Sequence, residues 1–203
     1  MTKDMLVGRK EIFSPYDISQ LCQVPIPLVQ GWIDGGELPT FEVPGKHRRV
    51  LLSDLEFFLQ SKGYPYPPHW GETLEKFKVL LVEDEIDLLE IVIDLLRDDP
   101  KLEVEGESTG FGAALAIARW HPDVILLDFV MPDTNGFDVC KKLKSDPQTS
   151  DIPIIAITSL SNMENREAVM KAGISVFLGK PFHSSKMLKC IHEILGIAVD
   201  PSV

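Results

Sequence analysis

Asp123-Val124-Ile125-Leu126-Leu127-Asp128-Phe129-Val130-Met131-Pro132 is the stretch that decides the fold. Its short, near-continuous apolar run, branched at Val124 and Ile125, has the pattern of a strand buried on both faces, as in the middle of a parallel sheet. The run ends on Asp128, and Met131-Pro132 should stop further ladder pairing because proline has no N–H to donate. Open α/β sheets collect their ligands at the carboxyl ends of the strands. Asp128 is therefore a carboxylate placed where chemistry occurs.

Around that strand the chain alternates strand and helix. Lys78–Val82, Leu102–Gly106, Ile154–Thr158 and Ile174–Leu178 complete a set of five predicted strands, with Leu102–Gly106 at an edge. Helices are expected over Asp87–Arg97, Gly110–Trp120, Phe137–Lys144, Met163–Lys171 and Ser185–Leu195. Repeated β-α units with short connections imply a parallel sheet covered by helices. Three strands end on ionisable groups: Glu83-Asp84 after the first, Asp128 on the third and Lys180 after the fifth, while Thr158 closes the fourth. In a parallel sheet these converge on one edge. Three clustered carboxylates repel unless a hard cation neutralises them, and an all-oxygen ligand set favours Mg²⁺. Such an ion also screens an aspartate that attacks an anionic phosphoryl donor, and Lys180 with the Thr158 hydroxyl could hold the remaining phosphoryl oxygens.

The words Val82-Glu83-Asp84-Glu85, Asp123–Asp128 with Met131-Pro132 and Gly136, Ile152-Pro153-Ile154-Ile155-Ala156-Ile157-Thr158, and Lys180-Pro181-Phe182 occur in that order. Together they resemble the receiver domain of bacterial two-component response regulators over about residues 76–197. The resemblance implies an α/β, flavodoxin-like (βα)5 fold with parallel sheet order 2-1-3-4-5. It implies that Asp128 accepts a phosphoryl group from a histidine kinase. Glu83, Asp84, Asp128 and the Val130 backbone carbonyl would hold Mg²⁺, Thr158 and Lys180 would bind the phosphoryl group, and Phe177 with Thr158 would form the switch. Glu83 stands where aspartate is more usual, and Ser175-Val176 where an acidic pair is common. Val130 and Leu160 fill the two positions that tune dephosphorylation in the family; both are apolar and neither orients a water, so a long-lived acyl phosphate is expected. The last strand and last two helices are the family's usual dimer face. A flavin site is disfavoured because Glu83, Asp84 and Glu85 would repel a phosphate. An aspartate phosphatase would carry a second carboxylate shortly after Asp128, where Phe129 and Val130 stand. The chain is not expected to be an enzyme beyond phosphotransfer to itself and autodephosphorylation.

The residues before this part differ in character. The formal net charge of -11 arises almost wholly beyond residue 70, so a uniformly basic nucleic-acid or membrane binder is excluded. Cys22, Cys140 and Cys190 are scattered, without metal-ligand spacing, and suit reduced thiols. Neither a signal peptide nor a membrane span is apparent, which predicts a cytoplasmic protein without membrane contact. Residues 63–75, with Tyr64, Pro65, Tyr66, Pro67, Pro68 and Trp70, suggest a semi-rigid linker between a domain over 1–62 and one over 76–199.

Within the first domain, Ser14-Pro15 opens a helix and Pro27 the next, which stops at Gly35-Gly36. Phe41–Val43 and Arg49–Leu51 form a hairpin, and Ser53-Asp54 opens a third helix, Leu55–Leu59, with Phe57 and Phe58 facing a small core. The plan is a winged helix-turn-helix. Trp32–Pro39, Gly45–Val50, Ser53-Asp54-Leu55 and Phe58-Leu59 resemble the MerR/excisionase type of winged domain. That resemblance implies a second helix in the DNA major groove and a wing on phosphates, a role that Lys46, His47, Arg48 and Arg49 suit as a cationic tip. The second helix departs from the pattern: Ile26, Pro27, Leu28 and Val29 replace its polar residues, leaving Gln30 and Gln23 to meet base edges. Expected partners are thus a sensor histidine kinase, DNA and a second copy through the receiver. The alternative is a signalling adaptor whose degenerate helix-turn-helix binds a protein.

Overall fold

The computed structural model describes residues 11–64, 76–132, 134–159 and 173–197. Leu160, the helix expected over Met163–Lys171 and the linker from Pro65 to Glu75 lie outside the described residues. The chain divides into two compact units, one formed mainly by residues up to Lys76 and the other mainly by Phe77 onward.

In the first unit, strand β1 (Ile12–Phe13) precedes helix α1 (Pro15–Cys22). Ser14 caps α1 by accepting from the Asp17 N–H while the Asp17 carboxylate accepts from the Ser14 N–H, a reciprocal capping box. Helix α2 (Ile26–Asp34) carries Pro27 in its first turn and ends at Gly35-Gly36, where Gly36 takes φ 72. Strands β2 (Phe41–Val43) and β3 (His47–Leu51) follow, then helix α3 (Leu52–Lys62), closed by Gly63 in the left-handed region. The sheet order β1-β3-β2 includes a strand that the sequence pattern did not suggest, since two residues are too few to show a period.

Two details correct the expectations. Helix α3 begins at Leu52, with Leu51 at the cap and no side-chain bond, so Ser53 and Asp54 sit inside the first turn. Phe57 and Phe58 do not share a face. Neighbours on a helix diverge by about 100°, and Phe58 is buried beside Trp32 while Phe57 is 75% exposed. Phe58→Ala should therefore cost about 3–5 kcal/mol, whereas Phe57→Ala should stay within about 0.5 kcal/mol of the parent. Equal losses for the two in urea unfolding would contradict this core.

The second unit is a parallel five-stranded sheet with helices on its faces. Its elements are β4 (Phe77–Val82), α4 (Ile86–Arg97), β5 (Leu102–Glu107), α5 (Gly110–Trp120), β6 (Val124–Asp128), α6 (Gly136–Ser145), β9 (Ile154–Ser159), β10 (Val176–Lys180) and α7 (Ser184–Leu195). Two short strands, β7 (Val130–Met131) and β8 (Thr134–Asn135), lie between β6 and α6. The order across the sheet is β10-β9-β6-β4-β5, with every pairing parallel. Strand β6 is central and every residue from Val124 to Asp128 is buried. Its apolar side chains serve both faces; Ile125 and Leu127 join Val82, Ala116, Cys140 and Ile154 in one core.

Pairing does not end for good at Asp128. The ladder with β9 stops there, but Val130 and Met131 pair again with Asn135 and Thr134 in an antiparallel hairpin. Pro132 lies at the turn, where its missing N–H is harmless. The last strand runs from Val176 rather than Ile174, so Lys180 is its final residue instead of following it.

Candidate functional site

The carboxyl ends of β4, β6, β9 and β10 build the site. Glu83 and Asp84 follow β4; Asp128 ends β6; Thr158 lies next to the end of β9; Lys180 ends β10. Glu83, Asp128 and Thr158 are buried and Asp84 is half-buried. One carboxylate oxygen from each of Glu83, Asp84 and Asp128 lies within 4.8 Å of the others.

Lys180 spans this edge. Its Nζ donates to Asp128 Oδ2 at 2.6 Å and to Glu83 Oε2 at 2.7 Å. Strand β9 stands between β10 and β6, so the two flanking strands are about 9.6 Å apart. A four-carbon stem crosses that gap, and the shorter Thr158 sits on the strand beneath. The second Asp128 oxygen, Oδ1, accepts the Val130 N–H at 2.9 Å. This local i to i+2 bond is common for an aspartate at the start of a turn. It fixes the carboxylate plane, and the sequence reading had assigned Val130 only a carbonyl role.

The electrostatics follow from crowding. Burial raises the Glu83 carboxyl above its ordinary value; the Lys180 hydrogen bond opposes that rise and the Asp128 charge adds to it. Burial works against the Lys180 ammonium, but its hydrogen bonds to Asp128 and Glu83 and their charges outweigh it and hold Lys180 above its ordinary value. One ammonium thus bonds two of the three carboxylates, Glu83 and Asp128, and the cluster remains rich in negative charge. The donors are all oxygens, two of the three carboxylates are buried, and a hard divalent cation suits this set.

Phe177 lies two strands from Asp128, paired in register with Ala156 and half-buried against the core between α5, α6 and the sheet. The structure therefore brings Glu83, Asp84, Asp128, Thr158 and Lys180 to one edge, with Val130 bonded to Asp128 and Phe177 nearby on β10.

The cationic tip fares differently. Strand β3 begins at His47 rather than Arg49, and strand alternation places His47 and Arg49 on one face and Arg48 on the other. His47 and Arg49 are buried, and Arg49 donates to the Arg48 carbonyl at 3.0 Å. Arg48 pairs with Asp34, at the end of α2, which the sequence reading missed because the two residues come together only when the hairpin folds back. Lys46 is exposed, with φ 62, and Gln30 is half-buried on α2.

The sequence profile of the response regulator receiver domain matches residues 79–192. The chain is 31% identical over 121 residues to the DNA-binding dual master transcriptional regulator RpaA of Synechocystis sp. (strain PCC 6803), covering 58% of this chain and 48% of RpaA. It thus spans about half the length of that relative. It is 31% identical over 119 residues to protein PilH of Pseudomonas aeruginosa, covering 59% of this chain and 98% of PilH. Among solved structures it is similar to the receiver domain of the sensor histidine kinase PA1611 of Pseudomonas aeruginosa PAO1, which has a magnesium ion coordinated in its active site cleft. That likeness has a TM-score of 0.54 and 25% identity, over 60% of this chain and 99% of the other.

Proposed function

Since the chain belongs to the response regulator receiver family, we propose that it is a two-component response regulator, phosphorylated on Asp128 by a histidine kinase and controlling DNA binding by its first unit. The observation that carries the receiver half is the set of buried Asp128, its two fixed oxygens and the adjoining Glu83, Asp84 and Lys180. In phosphotransfer an Asp128 oxygen attacks phosphorus, an O–P bond forms as the P–N bond of the donor phosphohistidine breaks, and the imidazole leaves with a proton. The Val130 N–H orients the carboxylate, and Lys180 and Thr158 bind the incoming oxygens.

Glu83, Asp84, Asp128 and the Val130 carbonyl would hold Mg²⁺. When bound, that ion supplies charge neutralisation at the phosphoryl oxygens. At ten times its Kd, Mg²⁺ should stabilise the unphosphorylated protein by about 1.4 kcal/mol, the mass-action value for a ligand of the folded state alone. Thermal melts in MgCl2 and in EDTA test this, and identical melts would remove the metal from the proposal. Phosphorylation then biases the Thr158 and Phe177 arrangement on adjoining strands, a packing change set off by a local charge. The Val130 side chain is apolar beside Asp128, where the residue is 55% exposed, and cannot orient a water, which supports a long-lived acyl phosphate.

The first unit supports DNA through its helix-turn-helix-hairpin plan and through Lys46 and Arg48. A second reading, an adaptor whose α2 binds a protein, is favoured by specific chemistry. The exposed residues of α2 are Pro27, Leu28, Gly31 and Asp34, with no cation among them. Selection from a random duplex pool, with and without beryllofluoride and Mg²⁺, separates the two. Enrichment of one motif, weakened steeply by salt and by Lys46→Ala with Arg48→Ala, supports DNA. No enrichment, with normal beryllofluoride binding at Asp128, replaces it with the adaptor.

A further inference from the structure

A second surface of the receiver unit lies on one face of the sheet, and its lining holds none of the side chains assigned to phosphotransfer above. Helices α5 and α6 each start at the carboxyl edge of the sheet and run back toward its amino edge, side by side over one core. A groove of about 570 Å³ separates them. Gly110, Ala114 and Ala118 line its α5 side over Ile117, while its α6 side is mixed, with Asp138 and Lys142 beside Val139 and Leu143 and polar residues at 146, 148 and 149 beyond them. On the same helix α5, Phe111 is 75% exposed and Leu115 is 55% exposed. They are four residues apart and so stand one turn above the other. A furrow lined by small residues thus lies beside a ridge of two large apolar ones.

Furrow and ridge match each other in size. Consider a two-fold axis crossing α5 near Ala114 and Leu115, so that two α5 helices pass antiparallel. Phe111 of one copy then lies against the Ala118 end of the other's furrow, and Leu115 packs near Ala114. The charges also match under this operation. Arg119, at the carboxyl end of α5, is 59% exposed although it pairs with Glu105. It is carried to the amino end of the other copy's α6, where Asp138 lines the groove and is exposed. A guanidinium has five donors and can hold Glu105 and a second carboxylate together. Self-complementarity of this kind is what an isologous contact requires.

We propose that the α5–α6 groove and the Phe111–Leu115 ridge form a dimer interface between two copies of this chain. Helix α5 is only about 16 Å long, a short contact beside the roughly 20–30 residues a side of a standard interface. The dimer is accordingly weak, with Kd on the order of 10–100 μM. The test uses the unphosphorylated full chain, so its outcome does not depend on whether Asp128 accepts a phosphoryl group.

Sedimentation equilibrium over a range of about 5–500 μM tests the proposal. The parent should dimerise. Phe111→Glu should raise Kd at least about tenfold, because it replaces the apolar ring that packs on Ala118 with a carboxylate that must lose water at the contact; its exposed position keeps the fold, which circular dichroism checks. Arg119→Asp and Asp138→Arg should each weaken the dimer, and the double variant should recover it. A parent that stays monomeric, a dimer indifferent to Phe111→Glu, or a charge swap without recovery would each overturn the proposal. The first of these would leave the groove to a different occupant.

Discussion

Asp128→Asn should leave a folded protein that takes up no phosphoryl group. The amide nitrogen and oxygen have no anionic lone pair to attack phosphorus, so uptake from a small donor such as phosphoramidate should fall by at least about 10³-fold. The fold should survive, because an amide oxygen can still accept the Val130 N–H that Oδ1 accepts now. Removing one of three clustered negative charges also relieves repulsion with Glu83, which the Asp128 charge helps push up. The amide NH2 would face the Lys180 ammonium in place of Oδ2, so the lost ion pair offsets that relief and the variant should unfold within about 1 kcal/mol of the parent in the absence of Mg²⁺. Intact mass before and after donor treatment reads the first expectation, and urea unfolding the second. Phosphorylation of the variant at the parental rate would move the acceptor away from Asp128 and sink the assignment.

Lys180→Ala should show two separate losses. Lys180 is the ammonium bonded to both Glu83 and Asp128, whose side chains are 3% and 7% exposed. Leaving buried carboxylates without their cation typically costs about 3–5 kcal/mol. Here the lysine side chain is 26% exposed, so solvent screens part of the interaction and a loss of about 2 kcal/mol is expected. Mg²⁺ should restore most of that stability, since it neutralises the same oxygens. Phosphoryl uptake should not recover with it. Removing a preorganised donor to a transferring group costs about 10²-fold or more in rate, and added Mg²⁺ cannot replace a donor aimed from β10. Urea unfolding and uptake rates, each at zero and saturating Mg²⁺, distinguish the two effects. Full recovery of both by Mg²⁺ would reduce Lys180 to a stand-in for the metal; no effect on either would remove it from the site.

Much of the second unit was legible because its physics is local. Strands buried on both faces read as continuous apolar runs, and Val124–Leu127, Ile154–Ile157 and Val79–Val82 are such runs. The ionisable residue that ends each run marks the chemical edge of a parallel sheet, so Glu83, Asp84, Asp128 and Lys180 could be assembled before any coordinate was known. Among the described residues, the helix boundaries legible in the sequence are those with a capping side chain, a proline or a glycine pair, such as Ser14-Pro15 and Gly35-Gly36.

The sequence by itself thus determined the α/β class of the second unit, the edge at which its site lies and the residues that meet there. The tertiary structure alone decided how they meet. That one ammonium holds both Glu83 and Asp128 depends on contacts between residues 97 and 52 positions apart, which no spacing rule reaches. The tertiary structure also withdrew Arg49 from the cationic tip, exposed Phe57 and added β1 to the small sheet. Arg49 and β1 depend on which face a strand of two to five residues turns inward, and such segments carry too little periodicity to say so; Phe57 is exposed because it cannot share a helix face with its neighbour Phe58. The groove between α5 and α6 is the strongest case. Its walls come from two helices separated by a whole strand, and only their packing on one core makes Ala114 and Val139 neighbours across a furrow.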